Sequence, residues 1–293
     1  MASAELRLIR RRIKSVQSTQ KITRAMELIA ASRILKAQIR VRQSVPYVEK
    51  LTEVIRNVGR AAGGGSGHML LERREGRTVG VLVVTSDRGL AGAYNTSIIR
   101  LAESRMIELR REGREVRLFG VGKKAQTYFR FRGYRIERGF LGVTDTPGYG
   151  DARAIANTLM EAYASGDVDA VEVFYTQFVS ALTQRGTRFD LLPIEPPKGK
   201  EEEGPGVDYE FEPSPEEILD RILPRYVEAN IFGVLLESSA SEHAARQRAM
   251  KAATENAGEL IRVLTRVANQ ARQAEITTEI SEIVGGAEAL TKG

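Results

Sequence analysis

Apolar residues recur at steps of three and four at both ends of the chain and gather into short uninterrupted runs in its middle. The first pattern is that of a helix with one buried face, the second that of strands covered on both faces. From residue 4 to about 58, Leu6, Ile9, Ile13 and Val16 begin a stripe that Ile34, Ala37, Val41, Val48, Leu51, Ile55 and Val58 resume in the same register. Between them the seam holds Gln20, Thr23 and Glu27, with Ile22, Met26 and Ile29 one stripe over, so the apolar face is expected to rotate there. Pro46 is expected to kink this helix, because it removes one backbone hydrogen bond and crowds the preceding turn.

A second helix is predicted from Pro215 to Leu290. No proline follows Pro224, and Ser214, Pro215, Glu216 and Glu217 supply a cap, a first-turn proline and first-turn carboxylates. Its stripe runs through Leu260, Leu264, Val267, Ala271 and Ala274, then shifts face to Ile276, Ile280, Ile283, Ala287 and Leu290. Such a rod would be roughly 110 Å long at about 1.5 Å per residue, too long for one globular domain to bury. An antiparallel coiled coil of the two terminal helices is therefore expected, with the end of the longer one projecting alone. Gly233, Gly258, Gly285 and Gly286 weaken it by about 1 kcal/mol each relative to Ala, and bending or fraying is expected at the last pair.

Between the helices the pattern alternates. Strands are predicted at 78–85, 115–120, 134–140, 168–180 and 189–194, with helices over 94–112, 123–131 and from a capping Asp151 to about Ala164. That alternation predicts a small doubly wound, Rossmann-like α/β domain with a largely parallel sheet. The chain accordingly divides into a first helix (1–60), a Gly-rich linker (61–76), an α/β domain (77–195), an exposed acidic, Pro-containing loop with a short strand at Val207–Phe211 (196–214), and the last helix (215–293).

Composition removes most chemistry. There is no cysteine, and histidine is limited to His68 and His243, so thiolate sites, disulfides and histidine-rich metal sites are poorly supplied. No run of 18 apolar residues and no apolar leader core occurs, so a soluble, unprocessed, cytosolic chain is expected, attached to a membrane only through partners. Charge is uneven: residues 1–60 carry 14 Lys and Arg against 4 Asp and Glu, whereas residues 215–293 carry 9 against 12. The basic helix suits an acidic protein surface; it lacks the interleaved aromatics of a nucleic-acid contact.

Four features are candidate sites. Thr85–Asn95, TSDRGLAGAYN, stands where a buried strand turns into a helix, but no GxGxxG or GxxxxGK[ST] is present, and it reads as a tight turn. Asp145 and Asp151 read as a solvated turn and a helix cap, and His243 has no second ligand one turn on. Ser66 resembles a nucleophile elbow only superficially, since His68 stands where glycine is required. No catalytic, cofactor or metal residue is assigned.

QKITRAMELIAASR near the start, TSDRGLAGAYN after the first strand, and the stretch from Ser241 to Leu290 resemble, in order and spacing over the whole length, the gamma subunit family of the F-type ATP synthase. The resemblance implies the central stalk of a rotary motor, a non-catalytic coiled coil inside a hexamer of alpha and beta subunits. It implies one copy per complex, a foot resting with epsilon on the membrane ring of c subunits, and no nucleic acid partner. By position, Lys21, Arg24 and Met26 would face the acidic levers of beta; Arg272, Gln273 and Thr277 would lie in the catch that beta engages; and Ile276, Ile280, Ile283 and Leu290 would turn in an apolar bearing. Arg24 replaces the lysine of many relatives, which keeps the charge. Absence of the plant-type redox insertion and of a transit peptide implies the cytoplasmic face of a bacterial membrane, with no cofactor.

Overall fold

The computed structural model describes residues 2–61, 68–74, 76–195 and 214–291. The glycines at 63–67, the 196–206 loop and the strand expected at Val207–Phe211 lie outside them. In chain order the elements are α1 (Ala2–Ala61), β1 (Thr78–Val84), α2 (Tyr94–Arg111), β2 (Glu115–Val121), α3 (Lys123–Phe131), β3 (Ile136–Phe140), α4 (Tyr149–Ala164), β4 (Ala170–Phe178), β5 (Gln184–Leu192) and α5 (Pro215–Thr291). They form two compact units, Met1–Ala30 with Gln247–Gly293, and Ala31–Arg246.

The larger unit is a five-stranded sheet of order β3-β2-β1-β4-β5. β1 pairs in parallel with both β2 and β4, β2 with β3, and β5 runs antiparallel to β4. Both faces of β1 are covered, as its unbroken apolar run demands: Val79, Val81 and Val83 pack with α2 and α3, while Leu82 and Val84 pack with α4 and α5. The chain builds outward through β2 and β3 and then returns by α4 to the other side of β1. Strand order reverses between β1 and β4, the place where open α/β sheets leave a crevice at the carboxyl ends.

Here that crevice meets α5. Leu219, Leu223, Val227, Ile231 and Leu235 are each at most 1% exposed against the sheet, and seven consecutive residues, Ser238 to Ala244, are buried. A helix buried all round is enclosed on every side. Each large apolar side chain among them contributes roughly 1.5–3 kcal/mol of transfer free energy. The second half of α1 covers this assembly through Ile55 and Val58.

In the smaller unit, residues 2–30 of α1 pack antiparallel on residues 247–291 of α5. The Gln20 amide donates to the Thr254 carbonyl at 3.3 Å, and the hydroxyls of Thr23 and Thr254 are 2.8 Å apart. A Cβ at Gly258 would stand 3.0 Å from the same Gln20 amide nitrogen, so a larger residue there would press on this contact.

Several expectations change. Covered positions on α1 keep steps of three and four from Leu6 to Val58, and Gln20, Thr23 and Glu27 occupy the seam as polar members of that register. α1 continues as helix through Pro46, whose missing amide removes one backbone bond without ending it. On α5 the covered positions are Ala257, Ile261, Leu264, Ala268, Ala271 and Glu275, leaving Leu260 and Val267 each 39% exposed. A mixture of small and large residues on α5 thus forms the face toward the Leu6, Ile9, Ile13 and Val16 stripe. α5 also continues past Gly285 and Gly286 to Thr291. β5 begins at Gln184 rather than at Phe189. α4 begins at Tyr149, with Asp151 in its first turn accepting a hydrogen bond from the Gly148 amide at 2.8 Å, so Gly148 rather than Asp151 is the cap residue. Ser214 does cap α5, accepting from the Glu217 amide at 3.2 Å.

Candidate functional site

The turn after β1 spends its polar groups internally. The first three amides of α3 are taken by three successive residues of this turn: Lys123 donates to the Asp87 carboxylate (3.1 Å), Lys124 to the Ser86 carbonyl (3.1 Å) and Ala125 to the Thr85 hydroxyl (2.9 Å). A helix N-terminus satisfied in this way has no free donor for a phosphate. Asp87 also accepts from the Gly142 amide and the Thr144 hydroxyl, both at 3.0 Å, and the Ser86 amide donates to the Asn95 side chain at 2.9 Å. Gly122, at φ +86°, lets the chain pass where a Cβ would sit 2.3 Å from the Thr85 carbonyl oxygen.

Above this turn, α5 is held by directional bonds. The Tyr94 hydroxyl donates to the Ser238 carbonyl (3.1 Å), the Ser241 hydroxyl to the Thr176 carbonyl (3.0 Å) and the Phe178 amide to the Glu237 carboxylate (3.3 Å). Arg246 reaches the Gly89 carbonyl at 3.2 Å and pairs with Glu242 at 2.5 Å. Asp145 is no solvated turn: both oxygens of its carboxylate accept from one guanidinium nitrogen of Arg33 on α1, and its carbonyl accepts from the Ser239 hydroxyl at 3.1 Å and lies 3.3 Å from His243 Nε2. Three segments distant in sequence therefore converge on one buried cluster. Burial raises the Glu242 carboxyl to about 7, against the pull of Arg246 and aided by Asp145 and Asp87. Burial lowers His243, whereas at Asp145 the hydrogen bond and charge of Arg33 overcome burial and hold the carboxyl low. His243 is a structural donor in this joint. The signal for it was the Glu242 and Arg246 pair, one turn apart in an otherwise Ser- and Ala-rich stretch.

The residues assigned to partner contact lie in the smaller unit. Lys21 is exposed and Met26 half-buried; Arg24, with its side chain 59% exposed, reaches back to the buried seam residue Glu27 at 2.9 Å. Ile22 and Ile29, one stripe over, are 58% and 56% exposed. Leu28, Leu35 and Ile39 extend the exposed apolar surface of α1, which the helical stripe alone did not single out. Arg272, Gln273 and Thr277 are exposed, and the Thr277 hydroxyl donates to the Gln273 carbonyl at 2.9 Å. The antiparallel register fixed at Thr23 and Thr254 sets Ala2 opposite about residue 275, so α5 beyond it has no facing residue of α1 among the described residues. There Ile276, Ile280, Ile283 and Leu290 are 48%, 56%, 72% and 87% exposed.

A family model described as ATP synthase matches residues 5–290. The ATP synthase gamma chain of Parafrankia sp. is 51% identical, with 99% of each chain covered. That of Streptomyces coelicolor is 49% identical over 98% of this chain and 96% of its own. Among solved structures, a chain of the Euglena gracilis mitochondrial ATP synthase assembly of OSCP, F1 and c-ring has a TM-score of 0.68 at 16% identity, covering 98% of this chain and 95% of its own. A chain of the Tetrahymena thermophila mitochondrial ATP synthase central stalk and c-ring has a TM-score of 0.59 at 23% identity, covering 79% of this chain and 99% of its own. At these identities the two structures speak to the fold alone.

Proposed function

The chain belongs to the ATP synthase gamma family, and we propose that it works as the central shaft of the F-type enzyme, passing rotation between the c-ring and the alpha and beta hexamer while performing no chemistry itself. The observation that carries this reading is the end of α5, where four large apolar side chains stand exposed beyond the reach of α1. A contiguous apolar surface of that kind calls for a partner. The crevice that would hold a nucleotide in other doubly wound domains is filled by Glu237 to Arg246, which supports a non-catalytic role.

On this reading Ile276, Ile280, Ile283 and Leu290 turn inside an apolar sleeve at the top of the hexamer. Arg272, Gln273 and Thr277 form the catch engaged by beta, and Lys21, Arg24 and Met26 meet its acidic levers. Epsilon and the c-ring hold the α/β domain. Among the described residues no helix is long and apolar enough to cross a membrane, so attachment runs through those partners, at the cytoplasmic face of a bacterial membrane. An asymmetric rod presents different surfaces to three otherwise equivalent catalytic subunits and so biases each toward a different state as it turns.

The test replaces Ile276 and Ile280 together by Asp in the assembled enzyme. Burying each isoleucine is worth roughly 1.5–3 kcal/mol, and two carboxylates forced into an apolar ring cost more than that loss. Complex yield on native gels and ATP-driven proton pumping should both fall, with Ile276→Leu and Ile280→Leu behaving like the parent. Normal assembly and pumping by the double Asp variant would show that the tip lies in water and would remove the bearing assignment.

A further inference from the structure

Within the larger unit a cleft of about 180 Å³ opens between the second half of α1, α5 and the β4–β5 edge of the sheet. Its lining is largely apolar, including Val41, Val45, Val234 and Phe189, and also holds Tyr175 and the carboxylates of Glu237 and Glu49. Glu237 is half-buried, and one of its oxygens accepts from the Phe178 amide at 3.3 Å. No ion pair to Glu237 or Glu49 is present among the described residues. Burial and the neighbouring Glu237 charge push the Tyr175 hydroxyl up to about 12. The cleft is therefore largely apolar, and its partly buried Glu237 carboxylate has no ion pair among the described residues.

Gly233 adds a second observation. It lies in the interior of α5, where glycine weakens a helix, and lines the cleft, yet nothing stands within 4 Å of where its Cβ would be. Close packing thus gives no reason for glycine there. What the missing side chain preserves is open space.

We propose that this cleft binds a small amphipathic cation, an apolar body of about one ring carrying a primary ammonium that pairs with Glu237. The volume matches the body, since a dry cavity of about 150 Å³ admits benzene. The carboxylate selects the charge, because a charge-assisted hydrogen bond in a partly desolvated site is stronger than a neutral one.

Binding of 2-phenylethylammonium to the full-length chain, followed by saturation-transfer NMR and compared with the uncharged 2-phenylethanol, tests the assignment. The ammonium should bind at least about tenfold more tightly than the alcohol. Glu237→Gln should erase that preference while leaving weak binding of both. Gly233→Leu should fill the cleft and abolish both, and because leucine favours helix the thermal midpoint should not fall. Equal affinities in the parent, a preference that survives Glu237→Gln, or undiminished binding to a folded Gly233→Leu protein would each overturn the proposal. Should Gly233→Leu fail to fold, the Glu237→Gln comparison decides alone.

Discussion

Replacing Glu242 by Gln isolates one titrating group in the joint that holds α5 to its domain. Glu242 is 1% exposed, one oxygen pairs with Arg246 at 2.5 Å, and the other has no hydrogen-bond partner among the described residues. Its folded pKa of about 7 lies above the ordinary 4.5. Between those values the folded chain holds a proton that the unfolded chain has released, so stability is greatest on the acid side and falls as pH rises through the window. Integrated from pH 5 to pH 8, the loss is about 2–3 kcal/mol, or roughly 5–10 °C in the thermal midpoint for a unit of this size.

Glutamine keeps the shape and can still accept from Arg246, but it does not titrate. Other groups facing Glu242 act with different signs. His243 is lowered from 6.5, so its contribution is lost as pH falls below that value, opposing Glu242. Asp145 is lowered from 3.8 and loses its contribution only in more acid solution, whereas Tyr94 is raised and lies above the window. Burial raises Glu237 as well, and that group is common to both proteins. The difference between parent and Glu242→Gln is therefore the quantity to measure, by thermal and urea unfolding of the full-length chain from pH 5 to pH 8. The parent should lose stability relative to the variant as pH rises. Parallel curves would show that Glu242 is ionised already at pH 5 and that burial does not outweigh Arg246.

Two further predictions concern hydrogen bonds. Asp87→Ala leaves the Lys123 and Gly142 amides and the Thr144 hydroxyl without their acceptor and should lower stability by about 1–3 kcal/mol, read as a lower urea midpoint with unchanged slope; an unchanged midpoint would show that water replaces the carboxylate. Thr23→Val and Thr254→Val, alone and together, should give a coupling of about 0.5–1 kcal/mol in a double-mutant cycle, because their hydroxyls are 2.8 Å apart in the seam, and strict additivity would mean that the two do not interact.

The sequence resolves elements wherever a local pattern also serves the tertiary one. β1, covered on both faces, announces itself by its apolar run, and Ser214 by the cap it supplies. β5 is the counterexample: Gln184 to Arg188 are polar, or glycine and threonine, because they lie on an edge strand with much of their surface in water, and their pairing with β4 is a nonlocal fact. On α5 the expected stripe is half right: Leu264 and Ala271 are covered, but Leu260 and Val267 are exposed, and the helix packs through Ala257, Ile261, Leu264, Ala268 and Ala271. The joint was the least legible feature. Glu242 and Arg246 are visible as a pair, but Gly89, Asp145 and Arg33 reach them only through the fold.

α5 therefore carries two kinds of contact surface. From Ser238 to Arg246 it is largely buried and, with Glu237, held by hydrogen bonds and ion pairs, each demanding a particular donor and acceptor at a particular angle. Beyond residue 275 its large apolar side chains are exposed, and apolar contact is non-directional. A directional joint resists rotation about the helix axis, because a turn breaks its bonds before new ones can form. An apolar contact against a smooth apolar wall loses little on turning, because buried area is conserved. The crevice where an open α/β sheet would admit a ligand has become the socket of the first surface, with Arg246 anchored on the turn that follows β1. On the function proposed above, a shaft would need this division: one region gripped firmly enough to transmit torque, and one free end able to slip.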